Sequence, residues 1–209
     1  MSRADPNYGT RSEYQEALEK ATNMKELASS FRGTFVRYHR GFEALFRTLG
    51  QNQPKVKPFV IWFEGPTGCG KTRTAYEEAI ARGTVWISPA SKMDWFDGYT
   101  GQDTAIFDDF RASGNRFSYI LRIIDRYPMD VPVKGGFVYW NPKYIVFTCP
   151  RTPSEEFVNR ETGEHYEDLN QMLRRIDETR IWVPQLKVWQ VVNPPLPIVT
   201  GKQIGRAHV

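Results

Sequence analysis

Five apolar residues, Phe59-Val60-Ile61-Trp62-Phe63, run up to the octapeptide Gly65-Pro66-Thr67-Gly68-Cys69-Gly70-Lys71-Thr72, and a helix-forming stretch follows without a break. That order, strand then G-x-x-x-x-G-K-[ST] then helix, leaves few folds open. Glycines let successive backbone N–H groups curl around an anion, and the first turn of the next helix brings its partial positive charge to the same place. A strand feeding such a loop is buried on both faces, so the segment predicts an α/β domain with a largely parallel sheet. Each residue from Gly65 to Thr72 is then a candidate contact for a nucleoside triphosphate. Lys71 would reach the β- and γ-phosphates, and the Thr72 hydroxyl would ligate Mg²⁺.

The rest of the chain agrees with this outline. From Phe59 onward short apolar runs alternate with turns and helical stretches. They predict strands at 59–63, 84–88, 104–108 and 144–148, and helices near 70–82, 116–126 and 166–176. A hairpin is expected over 130–140, turning at Gly135-Gly136, where positive φ costs little. β-rich segments at 181–183 and 188–192 follow, then prolines at 194–197. Upstream, Ser12 reads as a helix N-cap before Tyr14, Leu18, Ala21, Leu27 and Phe31, which recur at helical spacing. Phe35, Tyr38, Phe42, Leu45, Phe46 and Leu49 make a second amphipathic run that ends near Gly50. Residues 1–54 are therefore read as a small helical linker or oligomerisation region, 55–192 as the nucleotide-binding domain, and 193–209 as a proline-containing tail.

Composition narrows the class. A balance of 28 Lys and Arg against 24 Asp and Glu admits an anionic partner without demanding one. Two cysteines, Cys69 and Cys149, exclude a disulfide framework, and His39, His165 and His208 have no zinc-ligand spacing. No apolar run approaches the roughly 20 residues of a membrane span, and the N-terminus lacks the apolar centre of a secretory signal. A soluble intracellular protein with no membrane partner is expected.

A phosphate loop needs one carboxylate for the metal and another to orient the attacking water, both at the end of a neighbouring strand. Ala105-Ile106-Phe107 runs directly into Asp108-Asp109. Asp108 is assigned to Mg²⁺, directly or through water, and Asp109 to the attacking water, with the reverse order as the alternative. Lys134, at the hairpin tip, would grip a nucleic-acid backbone, with Tyr139 and Trp140 near enough to stack a base. Arg174 and Arg175 stand at the end of an expected helix. There they either complement the helix dipole or reach as an arginine finger into a neighbouring subunit's nucleotide.

Taken in order, these segments resemble the superfamily 3 helicase domain of the replication-initiator (Rep) proteins of small circular single-stranded DNA viruses, most nearly the circovirus type. The resemblance rests on Gly65 to Thr72, Asp94-Trp95-Phe96-Asp97-Gly98-Tyr99, Ile106 to Phe110, Leu121 to Pro128, Val131 to Gly136 and Leu173-Arg174-Arg175-Ile176. It covers about residues 55 to 180, and only the phosphate loop is widespread elsewhere. It implies a P-loop NTPase core of AAA+-like kind, assembled as a homo-oligomeric ring, a hexamer, that binds ATP and Mg²⁺ and hydrolyses ATP between subunits. Lysine hairpins then track single-stranded DNA 3′ to 5′ during rolling-circle replication. On the same resemblance Lys134 is the DNA contact, one of Arg174 and Arg175 is the finger, and the host nucleus is the place of action. Related domains occur in small RNA viruses, which makes RNA the alternative track.

Three features depart from that pattern. The family's sensor strand commonly ends in an Asn that positions water against the γ-phosphate. Here Tyr144 to Cys149 runs into Pro150, whose side chain has no hydrogen-bonding group, and Thr148 is the nearest substitute. The family's nuclease motifs, a His-x-His-type metal site and Tyr-x-x-Lys, do not occur in these residues. No nicking or strand joining is expected from this polypeptide, which reads as a partial protein whose nuclease lies on a missing or separate segment. Finally, Ile204-Gly205-Arg206-Ala207-His208-Val209 reads as one frame of a sequencing adapter, so the natural chain is expected to diverge after about Gln203. Two rival functions stay open: a P-loop phosphotransferase acting on a small acceptor, and a nucleotide-gated nucleic-acid-binding module with weak hydrolysis.

Overall fold

The computed structural model describes residues 11–22, 24–51, 55–89, 92–113, 115–158 and 169–192. Two compact units divide the chain at Pro54 and Lys55. The smaller contains α1 (Arg11–Lys20), α2 (Met24–Ser30) and α3 (Arg32–Gln51). The larger runs β1 (Phe59–Glu64), α4 (Lys71–Arg82), β2 (Val85–Ile87), β3 (Thr104–Phe107), α5 (Phe117–Ile123), β4 (Asp130–Val133), β5 (Gly136–Tyr139), β6 (Tyr144–Cys149), α6 (Pro153–Glu156), α7 (Asn170–Leu173), β7 (Glu178–Val183) and β8 (Val188–Val192).

Six strands form one sheet in the order β2-β3-β6-β1-β7-β8. Every pairing is parallel except β7 with β8. Because side chains alternate along a strand, the central strands serve two cores. Val60, Trp62, Ala105, Phe107, Ile145 and Phe147 face an aromatic-rich cluster with Phe96, Phe110, Ile120 and Trp140. Ile61, Phe63, Ile106 and Val146 face the opposite side, where Ala75 and Ala79 of α4 pack on them. Small residues at those two positions let the helix close on the sheet. The expected α/β core with a largely parallel sheet is therefore present.

Strand order matters most for the site. β6 lies between β3 and β1, with Phe107 opposite Phe147 and Glu64 opposite Cys149. The segments that follow β1, β3 and β6 thus emerge side by side at one edge, the crevice position in which parallel sheets hold ligands.

Several boundaries differ from the sequence expectation. The hairpin turns one residue earlier than expected: Val133 pairs with Gly136, which leaves Lys134 and Gly135 as the turn, Gly135 at φ 93°. Beyond the Asp130–Tyr139 pair the Trp140 N–H extends the same register by donating to Met129 O at 3.0 Å, while its ring enters the core. In the smaller unit the first helical stretch is two helices rather than one, and Ser12 lies within α1 instead of capping it. At the break, the Thr22 N–H and hydroxyl both donate to Glu26. Glu13 accepts from the N–H groups of Gly33 and Thr34 and so caps α3 from a distant point in the chain. A short helix not foreseen, α6, carries a full capping box between Thr152 and Glu155. Of the helix expected over 166–176, residues 170–173 are helical; 166–168 lie outside the described residues, as does the 193–209 tail. No described helix is long and apolar enough to cross a membrane.

Candidate active site

β1 delivers the chain into the loop Gly65–Gly70, and α4 starts at Lys71. Gly68 and Gly70 adopt φ of 85° and 90°, a region in which a side chain would clash with the backbone. Gly70 serves as the helix N-cap in that left-handed conformation. The Lys71 ammonium donates to Gly65 O at 2.6 Å and Pro66 O at 2.9 Å, so the cation lies over the mouth of the loop.

The next strands bring oxygen ligands to the same place. Thr72 Oγ1 donates to Asp108 Oδ1 at 2.6 Å, across from the end of β3. Thr148 Oγ1, on the penultimate residue of β6, donates to the same oxygen at 2.7 Å and accepts from the Asp109 N–H at 2.9 Å. A single hydroxyl therefore fixes both acidic residues. Asp109 takes φ 46°, a conformation Asp tolerates better than most residues, and this turns its carboxylate outward, where 69% of it is exposed and Arg111 pairs with it at 2.8 Å. In sequence Thr148 is only the nearest substitute for the missing sensor Asn; its contacts with Asp108 and Asp109 depend on strand order, which no local pattern reports. With Asp108 as the expected metal ligand, Thr148→Val is expected to lower turnover by about 10–100-fold, the usual cost of removing a partner that orients such a ligand. Steady-state phosphate release checks this, and a rate within twofold of the parent would remove Thr148 from the site.

Among the described residues no cluster of three or more His, Cys, Asp or Glu side chains is arranged to hold a metal. The donor set fits Mg²⁺ all the same. That ion is held by one or two protein oxygens, completed by water and substrate phosphates, and Thr72 and Asp108 already converge within 2.6 Å.

The remaining candidates have distinct surroundings. Lys134 stands at the tip of the β4–β5 ribbon with 81% of its side chain exposed. Trp140 is not available to stack a base: it is 0% exposed and its Nε1 donates to Ile123 O at 2.9 Å, because the aromatic core claims the ring. Arg175 is engaged within its own chain. Its guanidinium bonds Asp125 Oδ2 at 2.7 and 3.2 Å and Gln171 O at 2.7 Å. Burial pushes the Asp125 carboxyl up, but the Arg175 and Arg126 hydrogen bonds outweigh it and hold the group below its ordinary value. Arg174, next to it, is exposed. Behind the site, the buried Glu156 accepts from the Ala112 N–H at 2.9 Å and pairs with Arg151 at 2.6 Å, tying the segments after β3 and β6 together. No sequence signal marks that role.

A family model described as RNA helicase matches residues 61–150. The chain is 34% identical over 180 residues to the replication-associated protein of Pigeon circovirus, an alignment covering 85% of this chain and 53% of that protein. It is 34% identical over 178 residues to the replication-associated protein of Beak and feather disease virus, covering 85% and 57%. To that of Porcine circovirus 1 it is 30% identical over 212 residues, covering 95% and 65%. The chain thus spans between 53% and 65% of the length of these relatives.

Proposed function

The chain carries the superfamily 3 helicase domain of a circovirus-type replication-associated protein, and on that premise we propose that it is the ATP-driven, DNA-translocating module of a replication initiator, acting as a hexameric ring. The observation that carries this reading is the convergence of Thr72, Asp108 and Thr148 beside a lysine-bearing glycine loop. Lys71 draws negative charge on the β- and γ-phosphates, and Asp109, facing outward at the same edge, orients the water. Thr72 and Asp108 would hold Mg²⁺, which when bound would supply positive charge against the negative charge that develops on the phosphates. Arg174, exposed at the end of α7, is the arginine finger toward the neighbouring subunit's nucleotide. Lys134 contacts the DNA backbone, residues 1–54 serve assembly, and the host nucleus is the site of action.

The test is ATP hydrolysis with and without single-stranded oligonucleotides, alongside sizing with nucleotide. Single-stranded DNA is expected to raise turnover more than single-stranded RNA of equal length, and the protein to enlarge to a ring. Turnover indifferent to both polymers would sink the helicase reading, and preference for RNA would redirect it to the RNA-virus branch. Lys134→Ala is expected to reduce the slope of log affinity against log salt by about 0.7 per subunit engaged, the value for one lost phosphate contact on a single strand.

A further inference from the structure

The Asp94–Tyr99 segment has no part in the steps above, yet it meets the DNA-contacting hairpin directly. Phe96 and Tyr99 are buried against Trp86 and Trp140, and the Trp86 Nε1 donates to Asp97 O at 2.9 Å. The Phe96 N–H donates to Pro132 O at 2.9 Å, within β4. The segment is therefore bolted to the main core on one side and to the ribbon on the other. β4 and β5 pair only with each other, and a two-stranded ribbon is marginal by itself. The tip would need fixing from outside.

Asp97 supplies the fixing. Its Oδ1 accepts from the Lys134 backbone N–H at 2.7 Å, while its Oδ2 lies 3.7 Å from the Lys134 ammonium. One carboxylate thus addresses both the main chain and the charge of the same residue, at very different strengths. The short bond to the amide is charge-assisted and pins the turn. The long contact to an exposed amine is weak and readily exchanged.

We propose that Asp97 is a latch for the hairpin lysine: it holds the tip through the backbone and acts as a displaceable counter-ion that yields the ammonium to a DNA phosphate. Asp97 is a positioning residue, and the proposal rests on the reading of Lys134 as a DNA contact. The two halves of the latch predict opposite effects. Asp97→Asn keeps an oxygen for the Lys134 N–H and removes the competing charge. Asp97→Ala removes both.

Binding of a fluorescein-labelled oligothymidylate of about 20 nucleotides, followed by anisotropy, separates the cases. Asp97→Asn is expected to bind about two- to fivefold tighter than the parent, and Asp97→Ala at least about threefold more weakly. Amide exchange at Val133–Gly136 should be fast in the alanine variant and parent-like in the asparagine variant. In a Lys134→Ala background the gain from Asp97→Asn should vanish, an arm that decides the matter even if Asp97→Ala does not fold. Asparagine and alanine weakening binding equally, or a gain that persists without Lys134, would overturn the latch. If Lys134→Ala itself binds like the parent, the DNA-contact reading fails first and is seen to fail separately.

Discussion

Lys71→Ala is expected to cut ATP turnover by about 10²–10³-fold, the loss typical of removing one preorganised group aimed at charge that develops in the transition state. The ammonium already lies over the loop, held by Gly65 O and Pro66 O at 2.6 and 2.9 Å. A phosphate chain entering the loop would exchange two neutral acceptors for anionic ones, which strengthens the contact as charge accumulates. Removing the side chain leaves the exposed Pro66 O to water and takes one of its partners from the buried Gly65, so melting should fall only modestly. Steady-state phosphate release and a melting curve on the same preparation check both halves. Turnover within threefold of the parent would dissociate the loop from catalysis. Lys71→Ala combined with Asp108→Ala should cost scarcely more than either alone, because groups that act as one unit do not add.

How far the site could be read in advance follows from where each determinant lies along the chain. The loop was legible because everything that defines it is local: an apolar strand, glycines at positive φ, a lysine and threonine opening a helix. The acid pair was legible for the same reason. What Thr148 does was not, although its place near the end of β6 is local. Its bonds to Asp108 and Asp109 exist only because β6 inserts between β1 and β3, and no local pattern reports strand order. The burial of Trp140 is not legible in the sequence either: proximity to a hairpin tip suggests exposure, whereas its burial is decided by Ile123 and by Trp86 and Phe96, far away in sequence. The α6 capping box was present as Thr152-Pro153-Ser154-Glu155, but four residues show no periodicity to flag a helix.

Arg174→Ala and Arg175→Ala, adjacent in sequence, are expected to fail in different ways. The chain leaves α7 with Arg174 as its C-cap, and of the two neighbouring side chains only one points back into its own fold. Arg175 does, with 18% of its side chain exposed and three hydrogen bonds to Asp125 and Gln171. Its removal strands a half-buried carboxylate, at a cost of about 1–3 kcal/mol. That contribution is present above the ordinary Asp value of 3.8, because the folded-state value is depressed, and it is lost as pH falls through that lower value. The melting gap between parent and Arg175→Ala should therefore narrow as pH drops below about 4. Arg174→Ala should melt like the parent yet lose about 10³-fold or more in turnover, as expected for a finger acting in trans. Mixing it in equal amounts with Lys71→Ala should restore about one quarter of parental activity. In such mixed rings about one interface in four joins an intact loop to an intact Arg174. Parental turnover by Arg174→Ala alone would exclude it as the finger, and an inactive mixture would show that the residue does not act across a subunit interface.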